Sequence, residues 1–551
     1  MNTNITNITN IKHLCALLLS ALAFASCSSD SDEILNPAEP QQPAADGIHF
    51  SAVFDVKNAP AATRALTDPG DGTLTATWQV GEEIAIVFGG TKYTATVTTV
   101  DATGTATVSA TLPSTTPNNQ AVTFIYPASA ADGSGVRSGL LDVQDGKLST
   151  ISRQLDVATA EGTIVIDGTD GYPNGTVTLE NLYAICKLQF TDESGQAITD
   201  ISRVSVTDLS TEDIVIATMS SAQSAVYVAM KPTSNTVKFL VARSDGTPYS
   251  KVASASLQAG KFYHPTLSAT LDDAIITPLT LEAIGSGTVS FLNNAAGSVY
   301  YSIDGGARTE IPAGSTGTTP TLAAGQKVAF YGDNATYTTS DNYSKISCTA
   351  GCYVFGNIMS LISSTDFPNC KTLTESETFA YLFNSNFYIY NHVSRLLMLP
   401  ATTLTDMCYL GMFSSCISLT AAPMLPATTL TSRCYFHMFN GCTRLIAAPN
   451  LPATTLADYC YYMMFYDCSS LIAAPELPAT TLASNCYRSM FSGCTSLRSI
   501  KCLATNISAS NCTADWLSGV SATGTFTKAS SMESWTEGAS GIPAGWTVAN
   551  E

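Results

Sequence analysis

The hexapeptide Leu-Pro-Ala-Thr-Thr-Leu begins at Leu399, Leu425, Leu451 and Leu477, a period of 26 residues, and each copy continues with Cys-Tyr, Met-Phe, Cys and Leu at fixed offsets. Self-similarity at such a period marks a stacked-repeat architecture, in which no unit buries its own apolar face and the neighbours supply the core. In the third copy Leu456, Cys460, Met464 and Cys468 step by four, with Phe465 beside them. That spacing predicts one face of a helix. The short apolar run Leu471 to Ala474, stopped by Pro475, predicts a strand. One strand and one helix per unit give an α/β solenoid over residues 370–520. A divergent unit around Leu382 and Phe383 precedes it, a decayed one at Leu503, Cys512, Trp516 and Leu517 follows, and residues 521–551 form a C-terminal cap. The 16 Cys are about 3% of the chain and mostly belong to the repeat. Eight helical residues span roughly 12 Å, beyond the ~7 Å Cα separation that a disulfide tolerates. The paired Cys are therefore expected as buried thiols, while Cys348, Cys352 and Cys370 lie outside the array and their pairing stays open.

A chain of 551 residues implies three or four domains. With 45% hydrophobic and 13% charged residues it is expected to fold, and a net charge of -19 leaves no basic field for nucleic acid. From Ile48 to about Asp272, short runs of alternating apolar and polar residues are separated by Gly, Asp, Asn and Pro. Period two with frequent turn signals predicts β-sandwiches, here placed over 47–170 and 171–272. A linker and a small β module over 278–350, with the hairpin signal Asp304-Gly305-Gly306, follow. The expected fold class is mostly β with the C-terminal α/β solenoid. At the N-terminus, Lys12 and the apolar run from Leu14 to Ala25 have secretory-signal geometry and are too short to remain as a span. Residues 1–26 are read as that signal and 27–46 as an acidic, Pro-rich tether.

Three stretches resemble known families. Phe24-Ala25-Ser26-Cys27 resembles the lipobox of bacterial lipoproteins, although Phe24 stands where Leu, Val or Ile is usual. The resemblance implies acylation of Cys27 and a lipid-anchored protein on the outer membrane at the cell surface; cleavage after Ala25 by an ordinary signal peptidase would instead release it. The run Ser28 to Glu33 is similar to a surface-export signal of Bacteroidota lipoproteins. Ala62-Thr63-Arg64-Ala65, Trp78 to Ile86, Phe124-Ile125-Tyr126-Pro127, Leu182 to Phe190 and Leu257 to Tyr263 stand in the order seen in the fimbrillin-like (Mfa-like) family of Bacteroidota surface lipoproteins. That family supplies pilins, anchors and tip proteins, and the resemblance implies processing after Arg64. Met490-Phe491-Ser492-Gly493-Cys494-Thr495-Ser496-Leu497 resembles the BspA-like leucine-rich repeats of bacterial surface proteins.

No catalytic constellation is visible. The five His (13, 49, 264, 392 and 437) have no metal spacing, and Glu82 and Glu83, adjacent on a strand, point to opposite faces. The expectation is a non-enzymatic protein without cofactor or metal, held to the membrane by its lipid alone. Its partner is expected to be a host or bacterial surface protein or a glycan, with other fimbrial subunits as further partners. Two repeat slots vary freely: Met407, Arg433, Tyr459 and Asn485 share one, and Leu410, Phe436, Tyr462 and Arg488 the other. Variation that spares the core suggests solvent-facing positions, and Arg433, Phe436, Tyr459 and Tyr462 are residue types that carry interface energy. Residues 371–520 hold seven basic and seven acidic residues, so contact through this face is expected to depend little on salt. Two functions compete: an adhesin or fimbrial accessory or tip subunit, and a glycan-capture protein of a nutrient-uptake system.

Overall fold

Alternation shapes the first strand directly: in Gly47–Phe54 the side chains of Ile48, Phe50, Ala52 and Phe54 are buried and those of His49, Ser51 and Val53 are not, or only partly, covered. The computed structural model describes residues 47–551 apart from 55–64, 72, 340–341 and 534. Gly47–Phe54 pairs antiparallel with Ala106–Pro113 over its whole length, and the sheet continues through Thr91–Val100, Glu83–Phe88, Gln120–Tyr126 and Ala158–Asp167. Gly89 and Gly90, both with positive φ, make the two-residue hairpin between Glu83–Phe88 and Thr91–Val100. Asp170–Pro173 then pairs with both Ala158–Asp167 and, in parallel, Gly47–Phe54. The sheet thus closes on itself around Phe50, Phe54, Trp78, Phe124 and Tyr126, a barrel where two open sheets were expected. Its closing strand straddles the expected 170/171 boundary.

The next region is a true sandwich. A six-stranded sheet containing Ile201–Asp208, Ile214–Gln223, Thr236–Arg243 and Pro248–Ser254 shares a core with a smaller sheet built on Ala184–Thr191 and Val226–Met230. Residues from earlier in the chain complete that core. The hairpin Ala65–Thr67/Thr75–Thr77 contributes Leu66 and Leu74, and Leu141, Ile151 and Leu155 join them. The two regions are therefore interleaved in sequence.

Residues 279–361 carry a larger sheet, a three-stranded sheet and the short pair Thr338–Thr339/Asn342–Tyr343, and the module does not end at residue 350. Cys352–Asn357 is an inner strand, pairing with Thr280–Ala283 on one side and in parallel with Ile389–Asn391 and Leu397–Met398 on the other. One apolar core runs without a break from Leu279 through the repeats to Trp546. The module is the first layer of the stack.

The repeats contain no α-helix among the described residues, which corrects the α/β solenoid and its leucine-rich-repeat plan. In the coil beginning at Leu399, alternate N–H groups bond inside the coil to the carbonyl three residues back: Leu410 to Met407 (3.0 Å), Met412 to Tyr409 (3.2 Å) and Ser414 to Gly411 (3.0 Å). The intervening N–H groups bond to the next coil: Tyr409 to Cys434 O (3.0 Å), Gly411 to Phe436 O (2.8 Å) and Phe413 to Met438 O (2.9 Å). Every fourth residue, Met407, Gly411 and Ser415, takes positive φ. The result is a ribbon of turns with a four-residue period. It buries Cys408, Tyr409, Met412, Phe413 and Cys416, the same doublets at steps of four that a helix face would bury. Between the middle coils the expected strand is reduced to single parallel bridges, such as Ala421 with Ala447, and it is a strand at the ends of the array, in Leu397–Met398 and Ser499–Cys502.

Stacking puts like side chains over like. Tyr409, Tyr435, Tyr461, Tyr487 and Trp516 form one ladder with ring centroids 5.8–6.0 Å apart. Phe383, Phe413, Phe439, Phe465 and Phe491 form another, at 5.4–5.7 Å. Such pairs add roughly 0.5–1.5 kcal/mol each beyond their burial. Tyr337 and Phe379 extend the first ladder back into the module. The far end is covered by the parallel strands Ser499–Cys502, Thr525–Lys528 and Thr547–Asn550.

Candidate functional site

Inter-coil bonding fixes which slots become neighbours. Arg433 N donates to Asp458 O (3.1 Å) and His437 N to Tyr462 O (2.9 Å), so the 433–437 segment lies along 459–463 at one coil's spacing. The structure brings Arg433, Phe436, Tyr459 and Tyr462 into one cluster across two coils. Phe436 stacks on Tyr462 (centroids 4.7 Å, planes 18° apart), Tyr459 leans on Tyr462 at 5.8 Å, and the Arg433 guanidinium lies 4.9 Å above the Tyr459 ring. All four are half-buried.

Two further residues complete the face. Arg488 lies 5.8 Å from the Tyr462 ring in the following coil, and His437 stacks on Phe436 at 4.3 Å. Arg488 was legible as a member of a variable slot. His437 sits just outside both slots, and its only sequence signal is adjacency to Phe436. Burial lowers the His437 pKa, and its Nε2 is enclosed with no hydrogen-bond partner, so the ring is neutral and serves as another flat surface. Leu410 and Asn485 are buried, contrary to the expectation that every variable position faces solvent, whereas Met407 and Arg488 stay half-buried like the four. The open face centres on the two middle coils and reaches Arg488 in the one that follows.

The chemistry available is stacking and cation–π contact, worth about 0.5–2 kcal/mol per contact depending on desolvation, with the guanidinium N–H groups as donors. Among the described residues no three His, Cys, Asp or Glu side chains gather to hold a metal ion. The repeat Cys are free thiols. With no helix present, the spacing argument against disulfides loses its basis; what the structure shows is each thiol of one ladder donating to a carbonyl of the preceding coil, as Cys416 to Phe383 O (3.0 Å) and Cys442 to Phe413 O (3.1 Å). Burial pushes Cys434 and Cys442 up to about 12. Cys348, Cys352 and Cys370 are free as well. Asn386 Nδ2 donates to Cys348 Sγ (3.5 Å) and the Cys352 thiol to Ala350 O (3.6 Å); the proximity of the two thiols, with burial, pushes the Cys352 pKa up. Cys27 and Arg64 lie outside the described residues.

No protein family's sequence profile matches the chain, and no curated protein matches it. Among solved structures it is similar to a fimbrial protein from Bacteroides ovatus, at 14% identity and a TM-score of 0.22 over 41% of this chain and 51% of the other, so that the overlap spans about half that protein. It is also similar to a candidate cell adhesion protein from Bacteroides ovatus (12% identity, TM-score 0.26, 42% of this chain and 96% of the other) and to one from Bacteroides fragilis (10%, 0.24, 40% and 92%). Each overlap is confined to about two-fifths of this chain.

Proposed function

We propose that the chain is a non-catalytic surface adhesin or fimbrial accessory subunit of the fimbrillin-like kind, anchored to the outer membrane through Cys27. Its ligand, a protein or glycan, is met at the face around Arg433, Phe436, Tyr459 and Tyr462. The observation that carries the reading is that four residues from the two variable slots assemble into one contiguous aromatic and arginine cluster on coils whose core positions repeat. The five fimbrillin-like motifs in order, and the lipobox resemblance, support the display role. Processing after Arg64 also suits the arrangement, because the preceding strand Gly47–Phe54 belongs to the barrel while the following Ala65–Thr67 is anchored on the second sandwich.

The test is a glycan and extracellular-matrix array probed with residues 47–551, beside a variant with Arg433, Phe436, Tyr459 and Tyr462 all changed to Ala. The whole described region is needed, since the repeats share their core with the module. The expected outcome is a ligand bound by the parent and weakened about tenfold or more, roughly 1.4 kcal/mol or more, in the variant. Undiminished binding by a folded variant would refute the face. Glycan capture for nutrient uptake is the second reading, favoured by the grouping of aromatic rings with guanidinium donors in one face. Binding restricted to glycans would support it.

A further inference from the structure

Ile201–Asp208 is buried along its whole length. One face, with Val204 and Val206, enters the core of the second sandwich. The other carries Arg203, Ser205 and Thr207, and it is covered by residues 392–400 and 421–426 at the start of the repeats. Polar bonds fix the seam: Thr207 Oγ1 donates to Val393 O (3.0 Å) and Lys238 Nζ to Ser394 O (2.7 Å). The seam does not close. A cavity of about 70 Å³ remains, walled by apolar groups such as Ile216, Leu240, Leu397 and Pro423 together with Arg203, His392 and Arg395. No Asp or Glu lines it, in a chain whose net charge is -19.

Arg203 is only 8% exposed. Its Nη1 donates to Ala422 O (2.9 Å) and touches Met424 Sδ (3.9 Å), and among the described residues no carboxylate pairs with the guanidinium. Burying a charge without a counter-charge is costly, and burial pushes this guanidinium down to about 10. Arg395, 4.8 Å above the Phe355 ring, likewise has no carboxylate partner there. His392 Nδ1 accepts from Ser394 N (3.1 Å). Burial first, and the charges of Arg395 and Lys238 after it, lower the His392 pKa to about 4. The lysines nearby are balanced: Lys238 pairs with Asp272 at 3.3 Å, and Lys371 crosses the seam to Asp245 at 3.5 Å.

We infer that this cavity, independently of the repeat face, is a binding site for a small carboxylate with a short apolar tail. The planar guanidinium fork matches a carboxylate. The apolar walls receive the tail, and the volume suits a group of acetate or propionate size and excludes a sugar ring. A free short-chain acid and the terminal α-carboxylate of a peptide share this chemistry.

The experiment uses residues 47–551, followed by thermal unfolding and calorimetric titration at constant ionic strength with sodium propionate, sodium chloride, sodium phosphate and propionamide. A short peptide ending in Val, with its terminus free or amidated, is titrated in parallel. A ligand that binds only the folded state raises the melting temperature with concentration. The expected result is stabilisation by propionate or by the free-terminus peptide, with no effect of chloride, propionamide or the amidated peptide; which of the two acts identifies the source. Arg203→Gln and Arg395→Gln should each weaken the response at least tenfold. Arg395→Gln leaves the Ala422 contact intact and carries the test if Arg203→Gln does not fold. A response to propionate no greater than to chloride or propionamide, a stronger response to phosphate, or an unchanged response in the folded variants would overturn the assignment.

Discussion

The third left-handed slot of each coil is occupied by Ser415, Gly441, Asp467 and Gly493, the last three of types that tolerate positive φ, whereas in the first only Asn485 is such a type, beside Met407, Arg433 and Tyr459. A left-handed backbone costs a side-chain-bearing residue about 1–2 kcal/mol, so strain is built into the slot that supplies Arg433 and Tyr459 and is held there by two-sided coil bonding. The third slot allows a clean comparison. At Gly493 (φ +79°) an added Cβ would come within 2.0 Å of Asp467 Oδ1, whereas at Gly441 (φ +71°) the nearest atom is Ser415 Oγ at 3.3 Å. Both Gly→Ala changes meet the conformational cost, and only Gly493→Ala also displaces the Asp467 carboxylate. Chemical denaturation should show Gly441→Ala destabilised by about 1 kcal/mol and Gly493→Ala by more, about 2 kcal/mol. Equal effects would mean that Asp467 moves freely. The Met-Phe-x-Gly-Cys signature held this information in the sequence: a Gly recurring two residues beyond an apolar doublet is a poor helix residue and a good left-handed one.

At the scale of the element, the period of 26 and the identity of the core residues were legible, and the secondary structure was not. Helix faces and turn ribbons both bury doublets at steps of four, so the spacing of Cys408, Met412 and Cys416 could not separate them; the i−3 bonding and the left-handed residues that do so are backbone properties. Barrel closure was hidden for a related reason, since it rests on a short parallel pairing, His49 with Asp170 and Phe50 with Gly171, between residues far apart in sequence. The cluster around Phe436 was legible because it needed only the period, which fixes neighbours whatever the local conformation. The same reasoning makes a deletion test sharp. Removing Leu451 through Glu476 takes out one full coil and rejoins Tyr435 and Phe439 with Tyr487 and Phe491, preserving both aromatic ladders. The shortened protein should unfold cooperatively with a small loss of stability and should lose binding at the proposed face. Removing only Leu451 through Met463 sets ribbon against bridge and should abolish the folded stack, read as loss of the near-ultraviolet aromatic signal. If both deletions behave alike, the coils are not independent layers.

Across the whole molecule, the parts are held by crossings that the linear order of domains does not suggest. The repeats lie on the outer face of the second sandwich through Arg203, Thr207 and Lys238, and the hairpin Ala65–Thr67/Thr75–Thr77 reaches from the barrel to the other side of that sandwich. The hairpin is fastened by Asp68, which accepts from Lys187 Nζ (2.6 Å) and from Tyr227 OH (2.5 Å), with Leu66 N donating to Ser152 Oγ (2.9 Å) nearby. Its carboxylate is nearly covered, at 7% side-chain exposure, so solvent screens the pair weakly. The Lys187 bond first and the Tyr227 bond second hold the Asp68 pKa down to about 2 from 3.8, and the same bond raises that of Lys187. A carboxyl whose folded pKa is depressed stabilises the fold above its unfolded pKa and loses that contribution as pH falls through the folded value. For Asp68 the window runs from about pH 4 down to about pH 2; for Lys187, with its folded pKa raised, the contribution is full below its ordinary value of 10.5 and fades only above it. Asp68→Asn should therefore cost about 1–3 kcal/mol near pH 7 by leaving Lys187 unpaired. The deficit relative to the parent should shrink steadily between pH 4 and pH 2, because the parent loses there what the variant never had. Denaturation midpoints of the two proteins, followed from pH 7 to pH 2, measure this directly. A deficit that stays constant over that range would show that Asp68 holds the hairpin by shape and not by charge.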